Sequence, residues 1–248
     1  MVRPKSNAGS DLRRRLAAGE RVAGTLVKLP SDEVVDLIAS AGFDFGVVDL
    51  EHSQLGDGEA LRLLRHGYAL GFPLVARIAA VDRRLVNRLL EAGAAGIQLS
   101  TVRSVDEVGE LVAASRYAPD GRRSISLNHP VAGYGAVPLA DAVRREPPLL
   151  IGQIETAVTD APIPDIAAAG LDVLFAGTVD ITVDLAFDEP RIAARVAEIR
   201  AAADGAGLPF GAYAADRAAL PDGVRYAILS SDVSLLRSAA TAVAGDVR

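Results

Sequence analysis

Polar side chains that could do chemistry stand at or just after the ends of four apolar runs in this sequence. The four groups are Asp49 to His52, Arg77, Gln153 with Glu155, and Gly177 to Asp180. Carboxylates accompanied by one arginine and one histidine are the residue types that hold a hard cation, stabilise an oxyanion and move a proton. The chain has no cysteine, which excludes thiolate catalysis, disulfides and zinc–thiolate sites. The pattern indicates acid–base chemistry assisted by a divalent metal.

Glu155 and Asp180 are the candidate ligands for that metal. Mg²⁺ usually takes only one or two protein carboxylates and leaves positions for water and substrate oxygens. A 2-oxo acid offers such an ion its carboxylate and its keto oxygen, and the ion stabilises the enolate that forms when a bond at C3 breaks. Each carboxylate also has a plainer interpretation, Glu155 as an ion-pair partner and Asp180 as a helix cap.

Arg77 and His52 are the candidate catalytic side chains. Arg77 lies inside the apolar run Val-Ala-Arg-Ile, where an arginine needs an anion, so we expect it to hydrogen-bond a developing oxyanion. His52 is the candidate acid–base for the hydroxyl of the aldol partner, and Asp49, three residues earlier, is predicted to orient its imidazole. A loop histidine without a chemical role is the alternative for His52.

Lys28 is the candidate for a different mechanism, in which a lysine forms a Schiff base with the substrate. The chain has only two lysines, and Lys5 falls in the N-terminal tail. A Schiff-base mechanism would leave Glu155 and Asp180 unexplained, so the metal mechanism is preferred. His129 lies in a long loop and would reach a substrate only if that loop folded over the mouth of the site.

Composition limits the class of protein. The chain has 248 residues, close to the ~250 of a single (β/α)₈ barrel, and half of them are hydrophobic. A net charge of −6 argues against nucleic acid as a partner. Residues 1–20 lack the apolar core of a signal peptide, and no apolar run is long enough to span a membrane. We therefore expect a cytoplasmic protein that acts on small molecules.

Eight apolar, β-prone runs alternate with helical segments, which predicts βαβ units and a parallel sheet. The runs are Val22–Leu29, Phe45–Leu50, Pro73–Ile78, Gly96–Leu99, Leu149–Ile154, Val173–Ala176, Pro209–Tyr213 and Val224–Leu229. The turn after the first run lacks the Gly-x-Gly-x-x-Gly of a dinucleotide-binding open sheet. We predict one α/β domain over residues 1–248, a closed (β/α)₈ or TIM barrel, with a leading helix at 11–18 and a last helix at 234–244.

Residues 117–148 do not fit this alternation. The segment contains five prolines and three glycines. Its stretch Arg122–Leu127 could pass for a strand, but counting it would give nine strands. We predict an extended loop after the fourth helix of the alternation, and loops of this length are usually functional or disordered.

The order of these segments resembles the HpcH/HpaI aldolase family, the metal-dependent class II pyruvate aldolases related to the citrate lyase β-subunit barrels. The resemblance runs from about Leu12 to about Ala244. It rests on AGFDFGVVDLEHS, VARI, IGQIET and LDVLFAGTVDIT, with SVDEV and RYAPDGRR between them. The Asp-Leu-Glu-His, Gln-Ile-Glu-Thr and Gly-x-x-Asp segments, in this order and on these strands, are a specific signal.

The resemblance implies particular roles for the candidate residues. It implies that Glu155 and Asp180 hold Mg²⁺, Mn²⁺ or Co²⁺. It also implies that Arg77 contacts the keto oxygen of pyruvate, and that His52, paired with Asp49, is the acid–base.

Substrate binding and assembly are implied in the same way. Backbone amides of Gly177, Thr178 and Val179 are expected to receive the substrate carboxylate, and Gln153 is grouped with them as a substrate-binding residue. The implied activity makes or breaks a carbon–carbon bond between a 2-oxo acid and an aldehyde. The implied assembly is a homo-oligomer, commonly a hexamer or trimer of dimers, with the C-terminal helix exchanged between subunits.

The chain departs from the family pattern around the mouth of the barrel. Ser100 and Thr178 stand where prolines are usual, Arg123 where a glycine is usual, and Asn128-His129 where an arginine commonly precedes Tyr-Gly. The acceptor substrate is therefore left open. Two alternatives also remain: a decarboxylase or condensing enzyme acting on oxaloacetate-like 2-oxo acids, and a barrel protein without catalytic activity.

Overall fold

The computed structural model describes residues 8–245. In it, eight parallel strands close into one barrel, and the last strand pairs with the first. This confirms the predicted α/β barrel, while the outermost residues of the predicted 1–248 domain, Lys5 among them, lie outside the described range. The strands are β1 (Val22–Val27), β2 (Phe45–Asp49), β3 (Leu74–Ile78), β4 (Gly96–Leu99), β5 (Leu149–Ile154), β6 (Val173–Ala176), β7 (Phe210–Ala214) and β8 (Tyr226–Ser231).

Helices connect successive strands around the outside of the barrel, and one further helix precedes the first strand and another follows the last. They are α1 (Ala8–Ala17), α2 (Asp32–Ser40), α3 (Asp57–Leu70), α4 (Arg83–Ala92), α5 (Val105–Ser115), α6 (Leu139–Val143), α7 (Ile163–Ala168), α8 (Thr178–Asp184), α9 (Glu189–Gly205) and α10 (Asp232–Ala244), with a 3₁₀ helix at Pro130–Gly135. Within residues 8–245, none of these helices combines the length and apolar character needed to cross a bilayer.

The first and last strands differ from their predicted bounds. β1 stops at Val27, two residues before the predicted end, because the amides of Lys28 and Leu29 donate to the Asp232 carboxylate instead of to a neighbouring strand. β8 begins at Tyr226 and runs to Ser231, directly into α10. Asp232, the first residue of α10, is buried, and the hydrogen bonds that it accepts from Lys28 and Leu29 join the end of β1 to the end of β8.

Apolar side chains fill the barrel interior around the fully buried Tyr226. The Tyr226 ring stacks on Phe45, with centroids 4.6 Å apart, and meets Phe175 edge-on at 6.2 Å. Gly24 makes room for this packing, because a Cβ there would stand 2.4 Å from the Phe45 ring. Leu12 of α1 belongs to the same interior cluster, so α1 closes one end of the barrel.

Residues 117–148 form the predicted long connection from α5 to β5, and Arg122–Leu127 is not a strand, but the connection is not all loop because it contains the 3₁₀ helix and α6. The loop lies at the N-terminal end of the barrel, since the cavity of about 720 Å³ beside it is lined by Pro73, Ala95 and Pro148, each at the start of a strand. His129 is buried there, with its Nε2 2.8 Å from the Ser126 carbonyl oxygen. It therefore lies at the end of its own barrel opposite the strand C-termini.

Candidate active site

Asp49 and Arg77 meet because β2 and β3 pair with these two residues in register. Residues at matched positions of neighbouring strands project to the same side of the sheet. Arg77 Nε lies 3.0 Å from Asp49 Oδ1 and Arg77 Nη2 lies 2.7 Å from Asp49 Oδ2, a bidentate pair with both side chains buried. Planar pairing of this kind fixes the orientation of the guanidinium as well as its position.

The Asp49 carboxylate also binds a second cation and two backbone amides. Lys28 Nζ lies 3.1 Å from Asp49 Oδ2, and the amides of Glu51 and His52 each donate to Oδ1 at 3.1 Å. Burial alone would raise the pKa of Asp49, but the hydrogen bonds and charge of Arg77, with the His52 amide and Lys28, outweigh it and lower the pKa to about 2. Asp49 is therefore a permanent anion at the end of β2.

The structure corrects the expected pairing of Asp49 with the His52 imidazole. Asp49 accepts a hydrogen bond from the His52 main chain, because the short turn after β2 folds the amide, and not the ring, onto the carboxylate. The His52 side chain is 57% exposed, and its Nε2 lies 3.9 Å from Glu51 Oε2. The ring thus stands at the open mouth, next to a different carboxylate.

Glu51 is a member of the site that the sequence reasoning did not select. Its Oε2 lies 3.5 Å from Arg77 Nη1, and its Oε1 accepts a hydrogen bond from Ser100 at 2.7 Å. Oε2 is buried without a hydrogen-bond partner among the described residues. The only signal in the sequence was that Glu51 is an acidic residue directly after the end of β2, because the turn that brings it to Arg77 is not an extended chain.

The guanidinium of Arg77 thus has an acidic neighbour on more than one side. Burial alone would lower the pKa of Arg77, but the Asp49 hydrogen bonds and the charges of Asp49, Glu51 and Glu155 raise it. Hydrogen bonds link this group to Glu155, after β5, because Ser100 donates to Glu51 and the next residue, Thr101, donates to Glu155. Three of the predicted site residues are therefore brought together at the C-terminal ends of the strands.

Glu155 directly follows β5 and is buried beneath the mouth. Its Oε1 accepts a hydrogen bond from the Thr101 hydroxyl, and its Oε2 accepts one from Gln153 Nε2. Gln153 Oε1 in turn accepts from Gln98 Nε2 at 2.6 Å. These two hydrogen bonds turn the NH₂ group of Gln153 toward Glu155, so Gln153 orients the Glu155 carboxylate.

Thr101, just after β4, is a second residue that sequence reasoning missed. Its backbone φ is +51°, a left-handed conformation that is costly for a β-branched residue. Strain of this kind persists where surrounding contacts hold it and is concentrated at functional sites. Here the conformation brings the Thr101 hydroxyl to Glu155. A threonine carries no local signal for such a conformation, so the sequence could not have revealed it.

Gly177 and Asp180 follow β6, the neighbour of β5. A Cβ at Gly177 would stand 2.5 Å from Glu155 Cβ and 2.8 Å from Glu155 Oε2, so only glycine leaves space beside this carboxylate. The Gly177 amide donates to the Ile154 carbonyl at 2.9 Å, so it does not face a ligand as expected. Asp180 lies exposed in the first turn of α8, whose start has no side-chain cap.

The residues present fit a hard divalent cation. A carboxylate has about four lone-pair positions, so Glu155 can bind an ion while Thr101 and Gln153 hold it. The space left by Gly177 lies on the Oε2 side of Glu155. Within residues 8–245, no three His, Asp or Glu side chains converge as a ready-made cage. A cation here would therefore depend on one or two carboxylates, water and substrate, which is the usual situation of Mg²⁺.

Known proteins resemble this chain over most of its length. The family model described as HpcH/HpaI aldolase/citrate lyase matches residues 24–224. Hydroxypyruvate/pyruvate aldolases of Sagittula stellata and Paraburkholderia phytofirmans are each 31% identical to the chain, over 92% and 96% of it and 93% and 97% of their own lengths. The crystal structure of an HpcH/HpaI aldolase from Desulfitobacterium hafniense superposes with a TM-score of 0.87 at 29% identity, covering 94% of this chain and 95% of that one.

The family model covers well over half of the chain, and the relatives match it almost from end to end. In this chain, the C-terminal ends of β2 and β3 carry the Asp49–Arg77 pair, and the buried Glu155 follows β5. The chain belongs to the HpcH/HpaI aldolase/citrate lyase family, a class II, typically divalent-metal-dependent family of pyruvate-type aldolases, and is an aldolase, or carbon–carbon lyase.

Proposed function

We propose that this enzyme reversibly joins the C3 carbon of a small 2-oxo acid, pyruvate or hydroxypyruvate, to an aldehyde. The observation that carries the proposal is the rigid Arg77 guanidinium, fixed by Asp49 and in the field of the buried Glu155. A fixed cation next to a potential metal ligand suits a reaction that develops negative charge on one oxygen. The names of the aldolase relatives support the choice of donor substrates.

Glu155 and Asp180 would hold the divalent cation, with Gly177 leaving space beside Glu155. When bound, the cation supplies a Lewis acid that polarises the keto group of the 2-oxo acid. Gln153 and Thr101 keep the Glu155 carboxylate oriented toward that position. Second-layer hydrogen bonds of this kind tune metal affinity strongly.

Arg77 is proposed to donate to the oxygen on which negative charge develops. Its Nε and one Nη2 hydrogen are committed to Asp49, which leaves the remaining N–H groups for Glu51 and the substrate. Because the guanidinium is already fixed, it does not have to reorganise as charge builds up.

The substrate carboxylate is proposed to lie at the first turn of α8. Since the Gly177 amide is committed to Ile154, the amides of Thr178 and Val179 are the remaining donors of the predicted set. Gln153 can add its second amide hydrogen, because only one is used on Glu155. The proposed substrate pocket thus uses backbone donors from one side and Arg77 from the other.

His52→Ala is expected to lower kcat for aldol cleavage roughly a hundredfold, the usual contribution of a general acid–base, while decarboxylation of oxaloacetate falls less than about threefold. Aldol cleavage requires a proton to leave the acceptor hydroxyl, whereas decarboxylation has no such hydroxyl. The exposure of the His52 ring at the mouth supports this role. Mass spectrometry first identifies the aldol that forms from pyruvate and a series of aldehydes, and then gives the rates at which that aldol is cleaved and oxaloacetate is decarboxylated.

His66→Ala is the matched control, because His66 is a surface histidine bonded to Asp36 at 2.7 Å, and both reactions should stay at the wild-type level. Equal losses of the two reactions in His52→Ala would remove His52 from the role of acid–base. Absence of any aldol product with all aldehydes would count against the proposed function itself.

We further propose that the enzyme is a homo-oligomer, a hexamer or trimer of dimers, in which α10 is exchanged between subunits. Every residue from 233 to 244 of α10 is exposed in the single chain, including Val233, Leu235, Leu236 and Val243. A helix with an exposed apolar side is stable when a partner covers it. Light scattering should give a mass several times the 25.7 kDa of the chain, and a monomeric mass would refute the exchange.

A further inference from the structure

Lys28, the residue directly after β1, makes two contacts to the turn that carries His52. Its Nζ lies 3.1 Å from Asp49 Oδ2 and donates to the His52 carbonyl oxygen at 3.0 Å. On the other side of the same residue, the His52 amide donates to Asp49 Oδ1 at 3.1 Å. The two polar groups of the His52 main chain are therefore both fixed, one by Lys28 and one by Asp49.

The hydrogen bonds from Lys28 to the His52 carbonyl and from the His52 amide to Asp49 form a main-chain clamp. This clamp matters because the His52 ring is not oriented by a carboxylate in the expected way. The ring is more than half exposed, and its nearest charged neighbour, Glu51 Oε2, is 3.9 Å away. That distance is too long for a hydrogen bond. The position of the ring at the mouth therefore depends on the backbone of the turn, and small displacements of a reacting group can cost large factors in rate.

The main chain of Lys28 is itself fixed by hydrogen bonds to another part of the fold. Its amide and that of Leu29 donate to the buried Asp232 carboxylate, each at 2.8 Å. Asp232 is the first residue of α10, so a continuous set of contacts leads from the start of α10 through Lys28 to His52. The lysine can thus transmit a fixed position to the turn, which a freely moving surface lysine could not do.

We propose that Lys28 is a positioning residue, which clamps the turn after β2 and so sets the place of His52 for proton transfer. The inference rests on the proposed aldol function and deepens it. It also gives Lys28 a role other than a Schiff base. A residue that acts only through His52 should affect the reaction that needs His52 and leave the other reaction of the same site nearly unchanged.

Lys28→Met is expected to lower kcat for aldol cleavage roughly tenfold, a typical cost of a misplaced acid–base group, with KM for the 2-oxo acid and oxaloacetate decarboxylation within about twofold of wild type. Lys28→Arg should recover most of the activity, because a guanidinium can also donate to both Asp49 and the His52 carbonyl. Arg62→Met is the matched control, since Arg62 likewise bridges a carboxylate and a carbonyl, Asp32 and Pro30, at 3.0 and 2.7 Å.

Hydrogen–deuterium exchange gives a readout that does not depend on catalysis. Amides in the turn, residues 50–53, should exchange faster in Lys28→Met than in wild type, and Arg62→Met should leave them unchanged. A selective loss of aldol cleavage together with faster exchange supports the proposal. Equal losses in both reactions, unchanged aldol cleavage or unchanged exchange in the turn would overturn it. If the wild-type enzyme catalyses neither reaction, the proposed function fails separately. The amide exchange result alone then decides whether Lys28 fixes the turn.

Discussion

Glu155→Gln is expected to lower kcat for aldol cleavage by roughly 10³-fold, the upper range for loss of one electrostatic stabiliser, and to abolish tight Mn²⁺ binding. The substitution keeps the size of the side chain and removes only the charge. The Thr101 hydroxyl can still bond to the amide, because it can either donate or accept. The fold should therefore persist, and the melting temperature should stay within a few degrees of wild type. Calorimetric Mn²⁺ titration and steady-state kinetics measure the two effects.

Asp180→Asn should reproduce the loss of metal binding, since Asp180 is the second proposed ligand. Asp184→Asn is the matched control on the same helix: Asp184 is exposed and accepts a hydrogen bond from the Ala157 amide at 2.6 Å. The control should bind Mn²⁺ as wild type does. If Glu155→Gln bound Mn²⁺ with wild-type affinity, Glu155 would not be a ligand, whatever happened to kcat.

Asp49→Asn is expected to destabilise the fold by about 3 kcal/mol, the lower end of the cost of breaking a buried ion pair. The substitution leaves the buried Arg77 guanidinium without its bidentate anion, although Glu51 still offsets part of the charge. Urea unfolding measures the difference. Asp160→Asn is the control, because Asp160 also binds an arginine, Arg103, in a bidentate pair but is exposed, so the loss should be below about 1 kcal/mol.

The same variant gives a pH dependence with a definite sign. The pKa of Asp49 is about 2 in the folded chain, below the value of about 3.9 for an unperturbed aspartate. A lowered pKa contributes stability that is fully present above the unfolded value and is lost as the pH falls toward the folded value. The difference in unfolding free energy between wild type and Asp49→Asn should therefore shrink between about pH 4 and pH 2. A difference that stayed constant over this interval would contradict the assigned charge state.

Periodicity predicted the barrel because each strand is a short, mostly apolar and largely buried run that turn residues separate from the next helix. Periodicity placed the end of β1 two residues too late, since Leu29 appeared to extend the apolar run past Lys28. Their amides go instead to Asp232, more than two hundred residues away in the chain. A local sequence pattern cannot reveal a hydrogen bond between residues that are so far apart in the chain.

The candidate site was predictable in its residue types and less so in its contacts. The bond between Asp49 and Arg77 depends on the register of β2 against β3, which the sequence does not show. The expected Asp49–His52 ring pairing failed because residues three apart after a strand enter a turn, where the amide reaches the carboxylate first. Glu51 was visible as an acidic residue at the end of β2, but Thr101 was not, because its role depends on a left-handed backbone.

Exchange of the C3 protons of pyruvate for deuterium, followed by NMR in D₂O, tests the central claim most directly because it needs no knowledge of the aldehyde. We expect exchange in the presence of Mg²⁺ or Mn²⁺, loss of exchange on addition of EDTA, and no exchange with Glu155→Gln under either condition. Retained exchange in EDTA would refute a metal-assisted mechanism. No exchange of pyruvate or hydroxypyruvate with any divalent metal would contradict the proposal that this barrel activates small 2-oxo acids at C3.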